Sequence, residues 1–215
     1  NTGGRNATAY SYIEKARYAV GLYLNRHHIN CVAVDLSGNV ISLIRVRENF
    51  DLNDDNYLRK IGETVEEVKK DTGLSDDRFL GVGIAVQGLI SDDGERVTYG
   101  LTLNFTGVTR ADIAKYIPYH NRLFHDSAAA GYAEVWDRND LDDAFYLSLS
   151  NSVGGAVIVA NKIFEGERRK SGEIGHMTII PKAGDRCYCG QRGCFDTVCR
   201  ANVLAEYADG DLEKF

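Results

Sequence analysis

Apolar and β-branched residues gather along this chain into short runs bounded by Asn, Ser and Gly, the pattern of strands joined by tight turns. Three such runs, at 16–24, 29–36 and 40–46, are separated by Asn25-Arg26 and by Ser37-Gly38-Asn39, which predicts an antiparallel meander. The period then changes. Over 54–72, Leu58, Ile61, Val65 and Val68 recur at helical spacing and Gly73 follows the last turn, so an amphipathic helix is predicted. The unbroken apolar run at 79–86 predicts a buried strand, with helices at 110–117 and 126–137. Three antiparallel strands followed by alternating helices and strands predict an α/β lobe on a mixed sheet. A second three-strand pattern lies at 144–149, 156–159 and 177–180, with a helix at 196–208. The repeated order predicts two related lobes facing a cleft.

Composition narrows the class. At 215 residues the chain can bury the core of one large domain or two small lobes. No apolar run approaches the roughly 20 residues that span a bilayer. The net charge is −6, and Arg168-Arg169-Lys170 is the only basic run; a solvated loop explains it better than a phosphate site. Nucleic-acid binding draws on clustered Lys and Arg, so this stretch is not expected to bind DNA by itself. Five cysteines, four of them crowded between 187 and 199, lack the even pairing of a secreted disulfide framework and point to the reducing cytoplasm. Cys31 and Cys199 read as core residues.

The chemistry concentrates in one block. Gly172-Glu173-Ile174-Gly175-His176 is followed by Cys187-Tyr188-Cys189 and, past Gly190 and Gly193, by Cys194. One imidazole and three thiols are the ligand inventory of a closed tetrahedral zinc site. Gly190 and Gly193 would allow the sharp turns that return Cys194 to the metal. A disulfide pair or free buried thiols is the alternative. Elsewhere, Asp126 stands at a strand-to-helix junction, where an N-cap accounts for it, and Asn104 reads as a turn residue.

The order Gly-Glu-Ile-Gly-His, then Cys-x-Cys-Gly-x-x-Gly-Cys and an acidic residue two positions on, resembles the signature of the ROK family of repressors, open reading frames and sugar kinases. That resemblance implies an actin-like, ribonuclease-H-like duplicated fold. It implies a first lobe at 16–140 and the start of a second, carrying the zinc loop, at 141–215, with the rest of that lobe lying beyond Phe215. Residues 1–15, with Thr2-Gly3-Gly4-Arg5, resemble the linker that follows a winged helix-turn-helix domain in ROK repressors. By the same resemblance His176, Cys187, Cys189 and Cys194 bind zinc, and His176 faces a sugar with its other ring nitrogen. Gly88, Asn104, Asp126, Glu173, His176 and Asp196 are then the sugar-binding set. Asp126 matches the general base of the kinases, though His125 before it is closer to the repressor branch. Asp196 stands where the family has a glutamate, Gln87 replaces a proline, and Val108 replaces a tryptophan.

Kinases of this fold carry Asp-x-Gly-Gly-Thr at the first hairpin to admit ATP phosphates and magnesium. The matching residues are Tyr23-Leu24-Asn25-Arg26-His27, and the second phosphate loop is reduced to Ser150-Asn151-Ser152-Val153-Gly154-Gly155. Phosphoryl transfer rests on positioning and charge neutralisation, so a kinase is not expected. The expected function is a sugar-responsive transcriptional regulator, read as a repressor and not an enzyme. Its partners would be a sugar or sugar-phosphate effector, operator DNA through the missing N-terminal domain, and other copies of itself, but no membrane. The alternatives are a ROK sugar kinase with diverged phosphate loops and a zinc-stapled protein-interaction module.

Overall fold

The computed structural model describes residues 10–136, 138, 142–167 and 169–207. The meander forms as patterned: β1 (Tyr18–Leu24), β2 (His28–Asp35) and β3 (Val40–Arg47) pair antiparallel. Side chains close both turns. Asn25 Oδ1 accepts from the His27 and His28 amides, and Asp35 Oδ1 accepts from those of Ser37 and Asn39. These are local Asx bonds that mimic the backbone of a turn.

From β3 the chain crosses through α1 (Asp55–Asp71) to β4 (Phe79–Val86), which lies parallel to β1. Asp54 caps α1 by accepting from the Asn56 amide, Lys69 and Lys70 occupy its last turn, and Gly73 follows in the left-handed region. Leu58, Ile61, Val65 and Val68 all point into the core beneath the sheet. Trimming one methyl at the fully buried Ile61 should therefore register: Ile61→Val is expected to lower unfolding free energy by about 1 kcal/mol in urea titration.

Two elements were not anticipated. A hairpin of β5 (Leu89–Ile90) and β6 (Val97–Tyr99) precedes α2 (Arg110–Ile113), and β7 (Asn121–His125) adds a fifth strand parallel to β4. The first sheet thus runs β3-β2-β1-β4-β7, a mixed sheet as expected. A capping box between Thr109 and Asp112 starts α2. It ends at Ile113, short of the expected 117, because Ala114 leaves helical geometry at φ −87° and ψ 19°.

α3 (Asp126–Val135) packs on a second sheet, β8 (Ala144–Leu149), β9 (Val153–Val159) and β10 (Lys162–Ile163), and touches β4 and β7 on its other side. The expected strand at 177–180 is not part of this sheet; β10 takes the third place. Residues 177–180 pair instead with the cysteine loop: the Ile179 and Ile180 amides both donate to the Gly193 carbonyl, and Phe195 donates to Met177. The expected helix at 196–208 divides into α4 (Asp196–Cys199) and α5 (Ala201–Tyr207). Arg200 between them is extended, and the Ala201 amide leaves the helix to bond the Ser150 carbonyl.

Within the basic run, Lys170 is exposed as a solvated loop predicts, whereas Arg169 is not. Arg169 is one-quarter exposed and pairs with Asp92 and Glu165 while donating to the Ser91 and Asp92 carbonyls, tying the second sheet's hairpin to the β5–β6 hairpin. Cys31 is a core residue, whereas Cys199 is only half-buried. Among the described residues no helix is long and apolar enough to cross a membrane. The ends of the expected elements at 137 and 208, the linker at 1–9 and the chain end at Phe215 lie outside the described residues.

Candidate functional site

A cleft opens between the two sheets. Its walls come from the end of β4 and the turn after it (Gln87, Gly88), the first turn of α3 (Asp126, Ser127), the β8–β9 connection (Ser150, Ser152, Val153, Gly154) and the segment carrying Glu173 and His176. Parallel strands β4 and β7 both end here, so a helix start and two strand ends deliver their polar groups to one place.

Glu173 lies at the centre. One carboxylate oxygen stands 3.8 Å from His125 Nε2, and the other 3.7 Å from His176 Nε2. His125 Nε2 is also 3.6 Å from Asp126 Oδ1. Burial raises the Asp126 carboxyl above its ordinary range, opposed by His125 and by the Ser127 amide that donates to it. Tyr23 faces the same carboxylate; burial, then Asp126, pushes its hydroxyl up to about 12, and Gln87 donates to it. These contacts form a ring of acceptors and imidazoles that matches the donors and acceptors of vicinal hydroxyls.

His176 joins this ring to a second cluster. Its Nδ1 lies 3.5 Å from Cys187 Sγ, and Cys189 Sγ lies 3.7 Å from Cys194 Sγ. The four ligand atoms all fall within 4.8 Å of one another. With Zn–S near 2.3 Å and Zn–N near 2.0–2.1 Å, a tetrahedron has edges of about 3.5–3.8 Å, so two of the edges already have coordination length. The sulfurs are too far apart for a disulfide, and all five cysteines are free. Burial pushes the Cys187 thiol up to about 12 and raises Cys194 as well; a divalent cation reverses that preference, because a coordinated thiol gives up its proton. The residues fit a zinc ion.

Of the other expected site residues, Gly88, Asp126, Glu173 and His176 line the cleft. Asn104 and Asp196 are not among the lining residues. Asn104 is exposed with φ +55°, a left-handed turn position that asparagine tolerates. Asp196 is fully buried, and its Oδ1 accepts from the Val153 amide at 2.8 Å. The side chain is one methylene shorter than the glutamate of the family signature, and one of its oxygens is taken up by the backbone of the cleft wall. Conversely, the cleft contains residues that sequence reading did not assign to sugar contact: Tyr99, Ser148, Ser150 and Tyr188, the last packed edge-on against His176 with ring centroids 5.0 Å apart.

Known proteins resemble this chain in sequence and fold. The xylose repressor of Bacillus subtilis strain 168 is 27% identical over 210 residues, covering 95% of this chain and 53% of that protein. A glucokinase of Halalkalibacterium halodurans is 22% identical over 195 residues, covering 89% and 59%. The chain thus spans about half the length of the curated relatives it matches. In fold, the ROK family glucokinase of Streptomyces griseus, crystallised with glucose and AMPPNP, superposes with a TM-score of 0.73 at 21% identity over 89% of this chain and 60% of that one. The ROK family model matches residues 19–215, nearly the whole sequence, and this establishes that the chain belongs to the ROK family.

Proposed function

We propose that this chain is the effector-binding body of a sugar-responsive, cytoplasmic transcriptional regulator, and that it binds a sugar or sugar phosphate but not ATP. Gly88, Asp126, Glu173 and His176 take the hydroxyls, while Asn104 would need its turn to move inward to join them. Zinc held by His176, Cys187, Cys189 and Cys194 fixes the imidazole and supplies no chemistry of its own. An N-terminal winged helix-turn-helix joined through residues 1–15 would carry operator binding. The lobes 16–140 and 141–215 would close on the sugar, and the protein would work as a homo-oligomer. A sugar changes DNA affinity only if it binds the two states unequally, and cleft closure provides two such states.

The observation that carries this reading is Tyr23. By the sequence resemblance it matches the first residue of the kinases' Asp-x-Gly-Gly-Thr loop, and here Tyr23 and Asp126 line one cavity. A neutral phenol does not replace a carboxylate as a magnesium ligand. Asp126 nonetheless keeps the place of a kinase base, and glucokinases are among the relatives, so the second reading is a ROK sugar kinase.

Thermal unfolding of the zinc-loaded protein against monosaccharides, amino sugars and their 6-phosphates, with and without Mg-ATP, separates the two. A ligand at 100 times its Kd stabilises by about 2.7 kcal/mol, a shift of a few degrees. A shift with one sugar and none with ATP is expected, and Glu173→Gln should remove it. ADP release in the presence of a sugar would establish the kinase instead. No shift with any sugar, together with ligand-independent capture of a defined protein partner, would favour a zinc-stapled interaction module.

A further inference from the structure

Asp196 occupies the place of a sugar ligand in the family signature, yet its side chain is fully buried behind the cleft. A carboxylate is costly to bury unless its oxygens are bonded. Here Oδ1 accepts from the Val153 amide at 2.8 Å, Oδ2 has no hydrogen-bond partner, and the Arg200 guanidinium stands off at 3.9 Å. Such a half-satisfied acid, two residues from a metal-ligand cysteine, calls for a role that outweighs its cost.

Its position supplies one. Val153 begins β9 and, with Ser150, Ser152 and Gly154, forms the rim of the cleft. The other end of that rim is held by the Ala201 amide, which donates to the Ser150 carbonyl from just beyond α4. The rim lies directly on the Glu173–His176 segment: a Cβ at Gly175 would collide with the Val153 carbonyl. The cysteine loop ends at Cys194, and the Thr197 hydroxyl and amide both bond back to the Cys194 carbonyl, fixing α4 to it. One short path therefore runs from the metal ligand Cys194 through α4 and Asp196 to the backbone that lines the sugar cleft.

We propose that Asp196 is a positioning residue: it latches the Ser150–Gly154 rim to the cysteine loop, so that order in the metal site is transmitted to the rim, and it does not itself contact the sugar. The inference rests on the metal reading of the cysteine loop but not on the identity of the sugar.

The test is amide hydrogen exchange of the zinc-loaded protein, followed at Val153 by NMR, with native mass spectrometry of the same samples counting zinc. Asp196→Ala should speed exchange at Val153 at least about tenfold, the equivalent of about 1.4 kcal/mol for a lost charge-assisted bond. Asp196→Asn keeps an acceptor oxygen on the same stem and should restore most of the protection. Removing zinc from the unaltered protein by chelation should expose the same Val153 amide while β1 and β4 stay protected. A Val153 amide that stays slow in Asp196→Ala, an Asn variant no better than Ala, or a zinc-free protein with Val153 still protected each overturns the latch. Absence of zinc in the starting spectrum would instead defeat the metal reading, leaving the Ala and Asn comparison to decide the latch itself.

Discussion

Cys194→Ser is expected to lose zinc and sugar affinity in a single step. The sulfur is fully buried and 3.7 Å from Cys189 Sγ, so it occupies a ligand position that no water can take over without a gap. A serine hydroxyl does not ionise near neutral pH, and three ligands hold zinc far less tightly than four. Once the metal leaves, His176 Nδ1 loses that anchor. Its ring, kept in place by Tyr188, the 3.7 Å approach of Glu173 and the 3.5 Å contact with Cys187 Sγ, is freer to rotate away from the cleft. Loss of an orienting partner of this kind typically costs 10–100-fold, and sugar affinity should fall by about that factor. Native mass spectrometry reads the zinc and isothermal titration the sugar. Cys31→Ser is the control: it is equally buried, but in the first sheet, so it should cost stability and leave both binding events intact. Tight sugar binding in a zinc-free Cys194→Ser protein would falsify the coupling.

The contrast between those two cysteines also shows what a sequence can reveal. The meander, α1 and β4 were legible because their periods are long and their turns carry Asn, Gly and Ser at the required places. The cluster of His176, Cys187, Cys189 and Cys194 was legible because metal chemistry demands particular residue types at close spacing. The strand β7 was not, since Asn121 and Arg122 interrupt its apolar positions and its parallel partner β4 lies far away in sequence. The run at 177–180 failed for another reason: its apolar residues are strand-like, but the cysteine loop offers its backbone partners, and a tertiary pairing overrode the local pattern. In the cleft, the signature gave Glu173 and His176 their places. Asp196 was legible as an acidic position of the signature, but not its bond to the Val153 amide, a partner 43 residues away in sequence.

Two glycines of the cysteine loop should separate strain from collision. Gly190 has φ +93° and open space around the position of a Cβ, so Gly190→Ala meets only the left-handed backbone penalty, about 1–2 kcal/mol. Gly193 has φ +70° and carries the same penalty, but its Cβ would drive into the Ile180 carbonyl. That carbonyl belongs to backbone and cannot swing aside as a side chain would. Relief requires shifting the 177–180 segment, whose Ile179 and Ile180 amides bond the Gly193 carbonyl at 2.8 and 3.1 Å. Overpacking of this kind adds about 1–3 kcal/mol, so with the backbone penalty Gly193→Ala should cost about 2–5 kcal/mol in denaturant unfolding of the zinc-loaded protein. Because Cys194 is the next residue, the same shift moves a sulfur off the metal. Chelator competition should therefore find zinc held more weakly in Gly193→Ala and nearly unchanged in Gly190→Ala. Equal losses in the two variants would mean that the loop yields as one flexible unit, and that the Ile180–Gly193 contact does not hold the metal site in place.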